Sequence, residues 1–348
     1  MKKIILATLA AASLVACAKE NVVATYNEAI AFDNTFVNNT TKSIDPSITT
    51  ANLQGFLVYG TTKGDHTNAE TINIFNAVPV GHNIQEGVST GWQYAAGFTQ
   101  YWIAGNKYNF AAVVNYDGTG NLDKTKVSTD AYGMPTEIVY AANGIDLLYA
   151  RSAEDIVGLV SGNPKVAFTF DHLLSKVKFS FKNTTPASDD TNKYTYRVSN
   201  IVMTGTPAEG TCNVTGYPTY AWSVAADVAS ATTNYGHIVA NGTTVNEDAT
   251  PVGPSTIKYS NNENLVIPGE YEVNIKCQIE LLISKEVDGE TIYQVADIIS
   301  YDKNTEVTLE QGVAYNFVLS GKLGEAIAFT VTKVNAWDIP EQVTTPAM

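Results

Sequence analysis

Apolar side chains in this chain recur at every second position, and hardly any stretch repeats them at helical spacing. Successive side chains of a β-strand point to opposite faces, so this alternation predicts strands with one apolar face. Such runs, separated by Gly, Asn, Asp and Pro, occupy 108–114, 166–170, 177–181, 271–281, 307–309, 315–319 and 327–331. Without long helices between them, the strands predict an all-β protein built from antiparallel β-sandwiches.

The best internal boundary is the Gly- and Pro-containing segment 158–164, because each side of it carries its own set of strands. It predicts two β-sandwich domains in tandem, an N-terminal one at 17–165 and a C-terminal one at 166–348. The residues before them, 1–16, are expected to be a removable signal peptide.

Two shorter segments carry local predictions. A short helix is expected at 152–160, where Ser152 could cap the first turn and Glu154 and Asp155 would lie within it. The segment 241–264 is polar and rich in Asn, Asp and Thr, which predicts a surface loop.

The start of the chain resembles an export signal. Lys2 and Lys3 form a positive region, and the apolar run that follows, 4–15, is too short to span a bilayer as a helix. It ends at Leu-Val-Ala-Cys, the pattern of bacterial lipoprotein precursors, so Cys17 is the expected lipid attachment site. The alternative is an ordinary secretory signal with a chance cysteine. Each buried methylene contributes about 0.8 kcal/mol, so acyl chains on Cys17 would anchor the protein on a membrane.

The net charge argues against one class of partner, and the cysteine content argues against a disulfide framework. The chain has 348 residues, and its 35 acidic against 21 basic residues give a net charge of −14, which argues against nucleic acid as a partner. Apart from Cys17, the cysteines are Cys212 and Cys277, so no disulfide framework is expected. These two either pair or stand as separate small core residues.

Motifs of catalysis and metal binding are weak. Ser89 lies in a G-x-S-x-G string, but the residues after it read as a strand rather than the helix that a catalytic serine needs. The segment 117–123 spaces oxygen ligands as calcium loops do, yet it lacks the expected glycine and bidentate glutamate, and a hairpin turn explains it as well. The four histidines are far apart, and His172 is expected to be a hydrogen-bonded structural residue. We therefore expect no enzymatic activity, no metal and no cofactor, although paired glycosidase carboxylates would leave no local signature.

Aromatic residues cluster at Trp92, Tyr94, Tyr101 and Trp102. Exposed, they would form a platform for sugar rings, which gives the alternative function of a surface glycan-binding lipoprotein. Buried, they would belong to the core of the first sandwich, and large aromatics are usually buried.

A set of motifs occurs in a fixed order along the chain: the lipoprotein pattern, Ile30-Ala31-Phe32, Trp92-x-Tyr94, Tyr101-Trp102, Tyr108-x-Phe110, Leu147-Leu148-Tyr149-Ala150, the run from Val166 to Val177, Gly312-x-x-Tyr315 and Trp337. In this order they resemble a known family, the fimbrillins of Bacteroidales, which are the subunits of type V pili. The resemblance implies two transthyretin-like β-sandwich domains and no enzymatic activity.

The resemblance also implies an assembly route. Family members reach the cell surface as lipoproteins, a protease removes the lipidated N-terminal segment, and a strand from a neighbouring subunit fills the vacated groove. The partners implied are other pilus subunits by strand exchange, the outer membrane through the lipid, and host or bacterial surface receptors. The trimmed protein would lie in the fimbrium.

This sequence departs from the family pattern in two places. The family protease cuts after Arg, whereas no Arg precedes Arg151, and the matching position is Lys42. Processing at Lys42 would need lysine specificity. The tail also contains Pro340 and Pro346, and proline cannot donate to a β-ladder, which disfavours a long C-terminal donor strand. An accessory, tip or anchor subunit that keeps its lipid remains open.

Overall fold

The structure is a computed structural model that describes residues 28–33, 36–37, 48, 53–85, 88–117, 121–187, 193–240 and 248–334. Cys17, the predicted signal 1–16 and Lys42 lie outside these residues. Within them, helical structure is confined to two three-residue 3₁₀ turns, Ala96–Phe98 and Lys124–Lys126. No helix in this part of the chain is long and apolar enough to cross a membrane.

Twenty-one strands are described. The first ten are β1 (Phe36–Val37), β2 (Gly55–Lys63), β3 (Thr71–Gln85), β4 (Val88–Gln93), β5 (Lys107–Asn115), β6 (Val127–Thr129), β7 (Pro135–Ala141), β8 (Leu147–Arg151), β9 (Ile156–Val157) and β10 (Thr169–His172). The others are β11 (Ser175–Asn183), β12 (Lys193–Pro207), β13 (Glu209–Asn213), β14 (Ala221–Ser223), β15 (Ser230–Gly236), β16 (Ile238–Val239), β17 (Ile257–Val266), β18 (Gly269–Val287), β19 (Glu290–Leu309), β20 (Ala314–Gly321) and β21 (Ala328–Val334). The all-β prediction is confirmed.

The strands form four sheets. The eight-stranded sheet has the order β1-β10-β8-β5-β2-β3-β4, with β9 paired to β5, and the five-stranded sheet has the order β16-β17-β11-β20-β21. The hairpin sheet has the order β15-β12-β18-β19, and the bridging sheet has the order β14-β13-β7-β6. Pairing is antiparallel except for β1 with β10 and β11 with β20.

A β-sandwich makes up most of the C-terminal half. Its core lies between the five-stranded sheet, which contributes Phe179 and Phe317, and the hairpin sheet, which contributes Val198 and Ile275. The period-two alternation predicted for 177–181, 271–281 and 315–319 supplies these buried faces.

The eight-stranded sheet is buried on both faces. Along β5, Phe110 and Ala112 belong to one core cluster, whereas Ala111 and Val113 belong to another. The second face is covered by the bridging sheet, through residues such as Ile138 and Cys212. The first face is closed largely by chain outside regular strands, including residues 30–32.

The two halves share secondary structure. Strand β13 of the C-terminal half pairs with β7 of the N-terminal half, with Cys212 opposite Ile138. Residues 166–172, assigned by the sequence to the C-terminal domain, lie against the eight-stranded sheet, where Phe168 and Phe170 are fully buried. The division into transthyretin-like domains at 17–165 and 166–348 stays a prediction.

Two local predictions are wrong. The expected helix at 152–160 is instead a turn followed by β9, because Asp155 has a positive φ of 52°. The Asn109 side chain holds this turn, since it accepts the backbone N–H of Asp155 and donates to the Asp155 carboxylate. The expected loop at 241–264 contains most of β17. Three of its polar residues, Ser260, Asn261 and Glu263, are buried there, and Glu263 forms an ion pair with Lys176.

Candidate functional site

Residues 28–33, which we call the leading segment, are hydrogen-bonded on both sides. On one side, the Ile30 N–H donates to Gln100 at 2.8 Å and the Trp102 N–H donates to Glu28 at 3.0 Å. On the other side, the Val166 N–H donates to Ala31 at 2.8 Å and the Asp33 N–H donates to Val166 at 3.0 Å. The leading segment thus lies, in isolated β-bridges and backbone hydrogen bonds, between two stretches that come from later in the chain.

Alternate side chains of the leading segment complete the first core. Ile30 and Phe32 are 1% and 2% exposed. The Phe32 ring lies against five aromatic rings, with centroid distances of 5.8–6.2 Å: Phe56, Phe75, Tyr94, Phe110 and Phe168. Burying a phenylalanine contributes about 1.5–3 kcal/mol, so the core on this face depends on the segment.

Polar contacts hold both ends of the leading segment. The backbone and side-chain N–H groups of Asn163 donate to the Glu28 carboxylate at 2.9 and 3.0 Å, and these bonds lower the pKa of Glu28. Lys165 pairs with Asp33 at 2.7 Å, and the Tyr94 hydroxyl donates to the Ile30 carbonyl at 2.6 Å. These contacts fix the register of the segment.

After the leading segment, β1 continues into the eight-stranded sheet. It runs parallel to β10, with Phe36 opposite Thr169 and Val37 opposite Phe170. Short edge pairing of this kind adds a few hydrogen bonds to those of residues 28–33.

The next described residue, Ile48, precedes β2 and is bonded to the body of the protein. Its backbone N–H donates to the Asp146 carboxylate at 2.9 Å, and the same oxygen lies 2.7 Å from His172 Nδ1. The side chains of Asp146 and His172 are almost fully buried, 0% and 2% exposed. His172 is therefore the hydrogen-bonded structural residue that the sequence predicts. Lys42 lies between these two attachment points, in a stretch outside the described residues.

The aromatic cluster belongs mainly to the core. Trp102 is 2% exposed, and Trp92 is half-buried, packed on the first core and stacked on His82 at 4.6 Å. Tyr101 is exposed, but its backbone pairs with Ala29 of the leading segment. The cluster thus forms one wall around the segment rather than a sugar platform.

The remaining sequence candidates lie in structural settings. Ser89 belongs to strand β4, which pairs with β3. The Asp117 and Asp123 carboxylates accept bonds from nearby N–H groups, as in turns. The described residues contain no group of three or more side chains that could hold a metal. Cys212 and Cys277 are both unpaired and buried, in different clusters, and burial raises the pKa of each thiol to about 12.

Sequence reasoning missed the residues that receive the leading segment. Asn163, Lys165 and Asp146 carry no motif, and they bond residues more than ninety positions away in the sequence. Two signals were available, the apolar run from Val166 to Phe170 and the aromatic pair Tyr101 and Trp102, and each forms one wall of the site.

Comparison with known proteins identifies the family of this chain. It matches the fimbrillin-like family model over residues 37–337. A fimbrial protein from Bacteroides vulgatus has a similar fold, with a TM-score of 0.57 and 14% identity over 90% of this chain and 100% of that one. A candidate cell adhesion protein from Bacteroides ovatus aligns with a TM-score of 0.47 and 17% identity, covering 90% of this chain and 99% of that one. No curated protein matches. The family match covers most of the chain, and the chain therefore belongs to the fimbrillin-like family.

Proposed function

We propose that this protein is a structural or accessory subunit of a cell-surface type V pilus, assembled by donor-strand addition and supporting adhesion. Family membership supports the pilus role. The single observation that carries the assembly step is the leading segment, bonded on both sides and contributing Ile30 and Phe32 to the core.

Removal of the leading segment would expose a groove. The Trp102 and Val166 N–H groups and the Gln100 and Val166 carbonyls would lose their partners, and the pocket of Phe32 would open. Each unsatisfied buried polar group costs about 1–3 kcal/mol, and an emptied aromatic pocket costs more. A strand from a neighbouring subunit, with apolar residues at alternate positions, would restore both kinds of contact.

The export steps are part of the same proposal. Cys17 would carry the lipid, and processing at Lys42 would give a new N-terminus at Ser43. Because Ile48 is bonded to Asp146, the trimmed chain would stay attached to the body five positions after its new end. Sequencing the N-terminus of protein recovered from cells tests this. A start at Ser43 supports trimming and location in the fimbrium, whereas an acylated Cys17 indicates permanent anchoring in the outer membrane.

Assembly can be tested with a soluble form that begins at Ala18 and carries a specific protease site in place of residues 39–45. After cutting, we expect oligomers by light scattering once the leading segment dissociates, for example in mild urea followed by dilution. Ala29 and Tyr101 provide the matched control. They face each other as a non-hydrogen-bonded antiparallel pair, the close pairing that suits a cross-strand disulfide.

The stapled variant Ala29→Cys/Tyr101→Cys should stay monomeric after cutting when oxidised and should assemble when reduced. A cut, unstapled protein that releases residues 28–37 and remains a folded monomer at high concentration would contradict the proposal. The alternative of a glycan-binding lipoprotein built on Trp92 and Trp102 is disfavoured by the burial of Trp102.

A further inference from the structure

A polar depression lies on the opposite face of the eight-stranded sheet from the leading segment. It has a volume of about 180 Å³, and its lining includes Thr61, Asn109, Asp130, Tyr132, Arg151 and Glu154. Thr61 and Arg151 each follow a buried tyrosine of the second core by two positions, which places them on the same face as that core. We call this feature the Arg151 depression.

Arg151 is a cation without an acidic partner. The chain has two arginines, and the other, Arg197, pairs with Glu280 at 2.7 Å. Arg151 donates from Nε to the Tyr149 hydroxyl at 3.1 Å, and within the described part of the chain no carboxylate lies at ion-pair distance from it. Its terminal N–H groups are therefore available as donors.

Two carboxylates of the lining also keep open acceptor positions. Asp130 uses Oδ1 to accept the N–H groups of Tyr132 and Met134, at 2.8 and 2.9 Å, while Oδ2 accepts nothing from the described residues. Glu154 is exposed and makes no ion pair within the described ranges. By contrast, Asn109 is fully engaged with Asp155. The fold thus provides partners for Asn109 but leaves acceptor positions of the Asp130 and Glu154 carboxylates open toward the depression.

The aromatic member of the depression, Tyr132, is exposed, and its backbone is held in a tight turn. The Tyr132 side chain is 53% exposed, yet its turn is held by Asp130 and by the Asn73 amide, which donates to the Tyr132 carbonyl at 3.0 Å. At the next residue, Gly133 has a φ of +83°, and a Cβ there would lie 2.0 Å from the Asn73 amide nitrogen. The backbone from which the Tyr132 ring projects is therefore already ordered, so that binding does not have to order this turn.

We propose that the Arg151 depression binds one neutral sugar ring of a surface glycan. Sugar hydroxyls both donate and accept, so they can pair with the Asp130 and Glu154 carboxylates and with the Arg151 guanidinium. The apolar face of a sugar ring can lie on an aromatic side chain such as Tyr132. Because carboxylates and a guanidinium lie side by side, the depression suits a ligand whose groups both donate and accept, as uncharged sugar hydroxyls do. This inference goes beyond the pilus role and does not depend on strand exchange.

The test uses the full soluble chain and a panel of methyl glycosides of glucose, galactose, mannose, fucose, N-acetylglucosamine and N-acetylgalactosamine. Saturation-transfer NMR and calorimetry should show binding of at least one glycoside, with a Kd of roughly 1 mM or tighter, as expected for one ring. Arg151→Ala and Tyr132→Ala should each weaken it at least about tenfold, the loss of one good contact. Tyr293→Ala, which removes an exposed tyrosine from β19, is the matched control and should bind as the wild type does.

Two results would overturn the proposal. One is the absence of binding by every glycoside in the panel at 20 mM. The other is binding that both depression variants retain at wild-type affinity. Thermal unfolding of each variant checks that the fold is intact, and Tyr132→Phe, which keeps the ring, provides a second folded variant that should retain most of the affinity. Assembly after cutting is measured separately, so failure here leaves the pilus proposal standing.

Discussion

Phe32 stacks on Phe168, with ring centroids 5.9 Å apart and an angle of 19° between the ring planes. One ring belongs to the leading segment, and the other precedes β10. Backbone bonds between Ala31, Asp33 and Val166 run beside the stacked pair. The leading segment is therefore attached both by hydrogen bonds and by a core side chain, which is the combination that a replaceable strand requires.

Phe32→Ala should lower the free energy of unfolding by about 3–5 kcal/mol, because it empties a fully buried aromatic site. Urea unfolding measures this. The matched control is Phe98→Ala, since Phe98 is 48% exposed, and its effect should stay within about 0.5 kcal/mol. Equal effects of the two changes would mean that the leading segment contributes nothing to the core.

Tyr59→Phe should stabilise the protein by about 1–2 kcal/mol. The Tyr59 side chain is 1% exposed, and its hydroxyl has no hydrogen-bond partner within the described structure, so removing the oxygen relieves a buried unsatisfied group. Tyr140→Phe is the matched control. The Tyr140 hydroxyl donates to the Ile145 carbonyl at 2.8 Å, so its loss should destabilise by about 1 kcal/mol. A drop in the melting temperature of Tyr59→Phe would contradict this account.

Stability should fall as the pH rises from about 9 towards 12. Burial raises the pKa of Cys212 and Cys277 to about 12, whereas the thiols of the unfolded chain ionise near 8.5. In this window the folded state holds more protons than the unfolded state, so increasing pH favours unfolding, by about 1.4 kcal/mol per pH unit for each thiol. Below about pH 7, where the thiols are protonated in both states, they should contribute no pH dependence.

Urea unfolding of the soluble form at pH 7.5, 9 and 10 checks the alkaline prediction. The variant Cys212→Ala/Cys277→Ala should show a shallower decline over this range, although it starts from a lower stability because of the smaller side chains. A wild-type stability that is constant from pH 7.5 to 10 would be inconsistent with buried thiols.

Asp146→Ala should destabilise the protein by about 3–5 kcal/mol, because it leaves His172 and the Ile48 N–H without their buried acceptor. Hydrogen exchange should also show faster exchange at the Ile48 amide. Asp65→Ala, at an exposed position, should change stability by less than about 0.5 kcal/mol. Unchanged exchange at Ile48 would show that Asp146 does not hold this part of the chain.

The strands with one apolar face could be predicted from the sequence. Tyr108, Phe110, Ala112 and Val114 alternate along β5, and all four are buried on one side of the eight-stranded sheet. The same reasoning located β11 and β20, because burial of one face leaves a period of two in the sequence.

Strand β17 could not be predicted this way. Ser260, Asn261 and Glu263 are buried in it, so the segment has the composition of a loop. The side chains of Ser260 and Asn261 accept the backbone N–H groups of Phe179 and His237, and Glu263 pairs with Lys176. The false helix at 152–160 has a related cause. Local capping signals at Ser152 and Asp155 were overridden by tertiary bonds to Phe110 and Asn109.

The candidate site was predictable only in part. The importance of the residues near Phe32 followed from the family resemblance, and Val166 was part of an alternating run. Asn163 and Asp146 could not be identified, because an amide or a carboxylate acquires its role only when folding brings its partner to it. The Arg151 depression likewise combines residues from five separate parts of the chain.

The central claim, that the leading segment is a replaceable strand, is tested most directly by peptide exchange. Protein cut within the site that replaces 39–45 is mixed with an excess of fluorescent peptide covering residues 26–38, and bound peptide is measured by anisotropy and mass spectrometry. We expect one peptide to be incorporated per protein, with displacement of the original segment, and we expect a Phe32→Ala peptide to compete poorly. If the peptide never enters while the original segment is lost and the Trp102 and Val166 amides stay protected from exchange, the leading segment is not a replaceable strand.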